Sequence, residues 1–188
     1  VGYHLVNILI HLTNGILVYF LAINVFGRFS FFLEEQRGSP LASRSHHKRK
    51  KKISKSTASI RKLKILHMSL WVALLFVAHP IQTQAVTYIV QRYTSMSAMF
   101  YLASVLLYIQ ARNLQLNMGR FGENKIRRND SIKTDVSKKD ATAFSFKILF
   151  FFVASVLAGV FSFFCKENAA TLPGIILLVE YFLFDRSW

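Results

Sequence analysis

The sequence predicts an all-α, polytopic integral membrane helical bundle of about five transmembrane helices. Three observations predict it. Of 188 residues, 53% are hydrophobic and 18 are Phe, with a mean hydropathy of +0.34, which is too apolar for an ordinary water-soluble domain. Apolar runs near the length needed to cross a hydrocarbon core, about 20 residues, recur along the chain. The charge is strongly positive, +15 at pH 7, yet it is segregated into the stretches between those runs.

The first predicted element, residues 1–26, is a transmembrane helix over Tyr3–Phe26. His4, Asn7, His11 and Asn14 interrupt its Leu, Ile, Val and Phe residues. At about 100° per residue these four fall within an arc of about 80°, so they form one polar stripe. Two roles suit such a stripe: hydrogen bonding between helices, or lining a polar cavity. No carboxylate joins the two histidines, so no metal is expected there.

Residues 27–64 follow as a basic loop. Twelve cations, from Arg28 to Lys64 and including the run Lys48–Lys52, stand against Glu34 and Glu35. Ser39, Pro40, Ser43, Ser45, Ser54, Ser56, Thr57 and Ser59 suggest a flexible segment. A nucleic-acid patch is disfavoured, since no interleaved aromatics or base-reading fold accompany the run. Anionic lipid headgroups are the more natural contact.

Residues 65–112 are expected to form two spans, Ile65–Ala78 and Thr94–Ile109, joined by an external amphipathic segment. That segment carries His79, Pro80, Gln82, Thr83, Gln84, Thr87, Tyr88, Gln91 and Arg92. Pro80 disfavours helical geometry at His79 and suits the first position of a new helix. The second span should therefore end at His79.

Residues 113–143 are expected to be a second polar loop, which together with the flanking Arg112 and Lys147 carries nine cations against four acids. Two further spans, Phe144–Phe164 and Ala169–Phe184, fill residues 144–186, with Lys166, Glu167 and Asn168 in a tight external turn before Thr171 and Pro173. Glu180 and Asp185 stand near the inner end of the last span, where Arg186 is the expected partner. Cys165 is the sole cysteine, so it forms no internal disulfide and suggests no zinc site. The chain starts at Val1 inside an apolar run, as expected of a piece of a longer protein.

The two basic loops and Arg186 hold 22 of the 24 cations. By the positive-inside rule both loops are expected to be cytoplasmic. Arg92 and Lys166 are then left on the opposite face, at one depth. Interfacial snorkelling accounts for either alone; as a pair they suit the phosphate of a lipid-linked donor.

Three segments carry a resemblance. GYHLVNILIHLTNGILVYFL, VALLFVAHPIQTQAVTYIVQRYTSMSAMFYLASVLLYIQAR and CKENAATLPGIILLVEYFLFDR resemble the membrane half of the transmembrane and tetratricopeptide repeat-containing proteins, which are similar to protein O-mannosyltransferases of the GT-C class. The resemblance covers the predicted spans and leaves out the basic loops. It implies a GT-C-like glycosyltransferase that passes a sugar from a polyprenyl-phosphate carrier to an acceptor, a Ser or Thr hydroxyl in the eukaryotic relatives, on the extracytoplasmic side.

Under that resemblance Arg92 and Lys166 would bind the donor phosphate, with His79 and Glu167 in support and His4, Asn7, His11, Asn14, Gln82, Thr83 and Gln84 lining the cavity. The family's catalytic acid lies in an external loop upstream of the GYHLVN helix, so the base is not expected among these residues. Position 84 is Gln where relatives often carry Glu. Some GT-C relatives use a divalent metal, but this sequence shows no carboxylate cluster to bind one. The expected partners are membrane lipid, the lipid-linked sugar and a protein or glycan acceptor, without nucleic acid, and the basic loops favour a bacterial inner membrane over the endoplasmic reticulum. The competing readings are a non-catalytic membrane scaffold for a repeat domain and, less well supported, a transporter.

Overall fold

A computed structural model describes residues 2–37, 47–80, 91–127 and 134–184, and among the described residues there is no β-strand. Four long helices dominate: α1 (Gly2–Arg37), α2 (His47–Ala78), α3 (Arg92–Arg127) and α4 (Thr134–Cys165). A 3₁₀ turn, Glu167–Thr171, leads into the short α5 (Leu172–Val179), and a widened π-helical turn, Glu180–Phe184, follows it. The chain divides into two units, one comprising residues 1–91 with 181–188 and the other residues 92–180.

Burial is inverted relative to a water-soluble bundle. Asn7 is 1% exposed while its neighbour Leu9 is 63% exposed, and Ser104 is fully buried while Phe164 is 81% exposed. In water this arrangement would forfeit the hydrophobic contribution of nearly every large side chain. In lipid no hydrophobic force draws helices together, and association relies on small residues, close packing and interhelical hydrogen bonds. Many large apolar side chains then face outward, and Ser, Asn, His, Ala and Gly, with Val105, Ile109 and Leu172, form the seams. Among the described residues four stretches are long and apolar enough to cross a membrane: His4–Ser30, Arg92–Gly119, Phe144–Cys165 and Glu167–Phe184. They fit a multi-pass membrane protein.

The fifth span expected, Ile65–Ala78, is the apolar end of α2. Its 14 residues rise about 21 Å against a hydrocarbon core of about 30 Å, and residues 81–90, which follow shortly after it, lie outside the described residues. The stretches read as loops differ from expectation. Helix α1 continues to Arg37 and α2 already begins at His47, while α3 continues to Arg127 and α4 begins at Thr134. Lys, Arg, Glu, Gln and Leu are good helix formers, so the helices continue through polar sequence.

In the first unit α1 packs on α2. Asn7, His11, Asn14, Gly15 and Ala22 are the buried residues of α1, and Ser69 and Ala73 those of α2. A Cβ at Gly15 would lie 2.5 Å from Val77 Cγ2, closer than such atoms approach, so glycine is what allows the two helices to meet there.

In the second unit α3 and α4 form an antiparallel pair tied by serines. Ser97 donates its hydroxyl to the Ser162 carbonyl at 3.1 Å, and Ser162 donates to the Ser97 carbonyl at 2.8 Å. Seven residues along, Ser104 and Ser155 exchange the same two bonds, both at 2.8 Å. Seven residues is two turns at the 3.5-residue repeat that keeps a seam facing its partner. Gly159 lies between the serine pairs, and a Cβ there would meet Ser104 Oγ at 3.4 Å and the Leu172 methyls at 3.6 and 3.7 Å. Its missing side chain makes room for both α3 and α5.

Candidate functional site

The end of the second unit where α3 begins and α4 ends gathers the strongest polar chemistry. Arg92 is the first residue of α3 and Lys166 the residue after α4. The antiparallel register set by the serines brings these two ends together. The Lys166 ammonium reaches across to Thr94 Oγ1 at 3.1 Å, in the helical turn that Arg92 opens. Arg92 and Lys166 are both half-buried, while Glu167 and Asn168 are exposed. Two cations thus stand at one end of one helix pair.

The turn itself is internally braced. Lys166 N–H donates to the Ser162 carbonyl at 3.1 Å, and Ala169 N–H to the Lys166 carbonyl at 3.2 Å. The Thr171 hydroxyl donates to the Asn168 carbonyl at 3.0 Å and lies 3.3 Å from the Tyr101 hydroxyl. Ala169 and Leu172 are buried beneath it, and Pro173 occupies the first turn of α5, where its missing N–H costs nothing. The residues of the KEN-x-x-T-x-P string therefore hold a turn of defined shape that presents Lys166 and Glu167. Thr94 and Tyr101 were not singled out from sequence. The available signal was their place on the Arg92 helix, within its first turn and two to three turns in.

The polar stripe of α1 lies in the other unit. Asn7, His11 and Asn14 are buried, and His4 is exposed. His11 Nε2 lies 3.2 Å from the Val77 carbonyl, one of the last carbonyls of α2, which lack partners within their own helix. Its ring stacks on Phe76 with centroids 5.9 Å apart. Of the two roles open to the stripe, His11 performs hydrogen bonding between helices. His79 is exposed just beyond the end of α2 at Ala78, and Pro80 follows it. Gln82, Thr83 and Gln84 lie outside the described residues.

At the other end of the last span Glu180 pairs with Arg112. Arg112 Nε donates to Glu180 Oε2 at 2.9 Å and Arg112 Nη2 to Glu180 Oε1, so the guanidinium grips the carboxylate with two nitrogens. Tyr108 donates its hydroxyl to Glu180 Oε2 at 2.7 Å, and Arg112 also donates to Gln115 at 2.7 Å. Arg112 had been read as the first cation of a loop, but the span on α3 runs to Gly119. A charge within a span requires a partner, and Glu180 supplies it from the far end of α5. Asp185 and Arg186 lie outside the described residues.

Among the described residues no three His, Cys, Asp or Glu side chains come together in a way that could hold a metal ion.

No family model, curated protein or solved structure matches this chain. What the site does has to be argued from its own residues.

Proposed function

We propose that this chain is the membrane part of a GT-C-like glycosyltransferase that moves a sugar from a polyprenyl-phosphate carrier to an acceptor hydroxyl on the extracytoplasmic side of a bacterial inner membrane. The observation that carries the proposal is the Lys166 to Thr94 hydrogen bond, which holds one cation against the helical turn that begins with another, Arg92. The resemblance of three segments to that class supports it, as does the segregation of the other cations to stretches that the positive-inside rule assigns to the cytoplasm.

The chemistry follows from the charges. In glycosyl transfer the bond between the sugar carbon and the carrier phosphate breaks as the acceptor oxygen bonds to that carbon, and the electron pair stays on the phosphate. Two cations preorganised beside that phosphate stabilise the charge as it develops. The acceptor proton goes to a general base, which this reading places upstream of α1. Glu167 is a supporting group, and the donor is a substrate rather than a cofactor.

The experiment is an equilibrium binding measurement of polyprenyl phosphate to the protein in lipid nanodiscs. Arg92→Gln and Lys166→Gln should each weaken binding by on the order of 10-fold, the worth of one charge-assisted hydrogen bond. Lys125→Gln, at the other end of α3, should leave it unchanged. Equal effects at all three positions would overturn the proposal.

A further inference from the structure

The turn that carries Lys166 is shaped by bonds of its own. Lys166 leaves α4 in an extended conformation, with φ −162° and ψ 138°. Its N–H reaches back to the Ser162 carbonyl, the Ala169 N–H to the Lys166 carbonyl, and the Thr171 hydroxyl closes on the Asn168 carbonyl at 3.0 Å. All of these bonds lie within residues 162–171, so they shape the turn without fixing where it stands over α3.

Three other contacts do that. Lys166 Nζ donates to Thr94 Oγ1 at 3.1 Å, the Ser162 hydroxyl donates to the Ser97 carbonyl at 2.8 Å, and the Tyr101 hydroxyl lies 3.3 Å from Thr171 Oγ1. Thr94, Ser97 and Tyr101 stand at offsets 0, 3 and 7 along α3, within an arc of about 60°. The segment from Ser162 to Thr171 is therefore seated on one face of α3. Lys166 is tethered near the helix start and Thr171 about 10 Å further in. Counting protons gives the direction of that last tether. Thr171 has one hydroxyl hydrogen and directs it at Asn168, so towards Tyr101 its oxygen accepts and the phenol donates.

The seat matters for the charge it carries. A lysine ammonium is a compact charge on a flexible stem, and stabilisation of an anion depends on donors that are already in place. One of the three ammonium hydrogens goes to Thr94, which leaves two for a ligand. Their aim depends on where the Lys166 backbone stands, and Tyr101 holds the far end of the turn that carries it.

We propose that Tyr101 and Thr171 are positioning residues for the donor-phosphate site, fixing the Lys166 turn on α3 and acting on the phosphate only through the Lys166 ammonium. This rests on the reading of Arg92 and Lys166 as that site. Tyr101→Phe keeps the ring and removes only the donated bond, so the turn is released at one end with its internal bonds intact. Thr171→Val removes both the acceptor for Tyr101 and the bond to Asn168, whereas Thr171→Ser keeps both.

The test is the dissociation constant of polyprenyl phosphate for the full chain in lipid nanodiscs. Tyr101→Phe should weaken binding about 3- to 5-fold, within the contribution of one neutral hydrogen bond. Thr171→Val should weaken it at least as much, and Thr171→Ser should restore the native affinity. A double-variant cycle separates positioning from direct contact: with Lys166→Gln already present, Tyr101→Phe should cost no further affinity, because the charge it positions is gone. Ser104→Ala controls for general loosening, since it weakens the same helix pair away from the turn and should leave the affinity unchanged.

The proposal is overturned if Tyr101→Phe weakens binding by the same factor with and without Lys166, or if Ser104→Ala weakens it as much as Tyr101→Phe does. It is also overturned if Tyr101→Phe and Thr171→Val bind as tightly as the native chain while Arg92→Gln and Lys166→Gln do not, an outcome that leaves the phosphate reading standing. Native affinity in Arg92→Gln and Lys166→Gln themselves would remove that reading and the proposal with it. The Tyr101→Phe arm stands even if Thr171→Val does not fold.

Discussion

Ser104 and Ser155 each donate a hydroxyl hydrogen bond to the other's backbone carbonyl, at 2.8 Å in both directions. Neither residue lies in a loop or near the cations, so the pair tests the α3–α4 seam alone. Ser104→Ala should lower the stability of the protein in detergent by about 0.6 to 1.7 kcal/mol, the range measured for hydrogen bonds between membrane helices. Ser104→Leu should cost more, because Ser104 is fully buried and a Cβ at Gly159 would already meet its oxygen at 3.4 Å. Thermal unfolding followed by circular dichroism separates the two effects.

Gly15 should tolerate no larger residue while Val77 is in place. Gly15→Ala puts a methyl 2.5 Å from Val77 Cγ2, and overpacking of this kind costs about 1 to 3 kcal/mol. Gly15→Ala combined with Val77→Ala should recover most of that loss. If the double variant is no more stable than Gly15→Ala alone, the close approach of α1 and α2 at this point is wrong.

Removing the carboxylate at Glu180 should be more harmful than removing the hydroxyl at Tyr108. Glu180→Gln leaves Arg112 without its ionic partner at a position where the two side chains are about a quarter exposed, for an expected loss of about 1.5 to 3 kcal/mol. Tyr108→Phe removes one hydrogen bond and should cost about 1 kcal/mol. Exchanging the charges with Arg112→Glu and Glu180→Arg should restore part of the stability, the non-additivity that marks a direct pair. Unfolding midpoints of the single and double variants provide the readout.

His11→Leu removes the bond to the Val77 carbonyl at 3.2 Å while keeping an apolar side chain beside Phe76. A loss of about 1 kcal/mol in the same unfolding assay is expected. Thr94→Val should act differently, sparing stability but weakening polyprenyl phosphate binding less than Lys166→Gln does. It frees the ammonium from its acceptor without removing the charge, and the binding assay in nanodiscs distinguishes the two.

The spans were legible where the chain uses plain apolar runs: Tyr3–Phe26 and Phe144–Phe164 lie within α1 and α4. The ends were not. A scan for apolar length stops at the first charges, whereas the backbone hydrogen bonds of α1 and α3 continue through Arg28 and Arg112. Glu180 shows the other blind spot. Arg112 is its partner although 68 residues away, because α3 and α5 run side by side in the same direction, and only the register between helices reveals that. The serine seam could have been found, since Ser97 and Ser104 on one run and Ser155 and Ser162 on another share a spacing of seven. Gly15 could not, because its role exists only relative to Val77.

The reciprocal serines also set a height. Slipping α4 past α3 by less than a heptad would break both pairs, and slipping by a full heptad would keep one pair and move α4 by about 10 Å along the membrane normal. Such a slip would draw the Lys166–Glu167 turn into hydrocarbon or push it clear of the surface. Two hydroxyl pairs thus work like the teeth of a rack, indexing how far the chain is threaded through the bilayer and holding a lysine level with the helix start that carries Arg92.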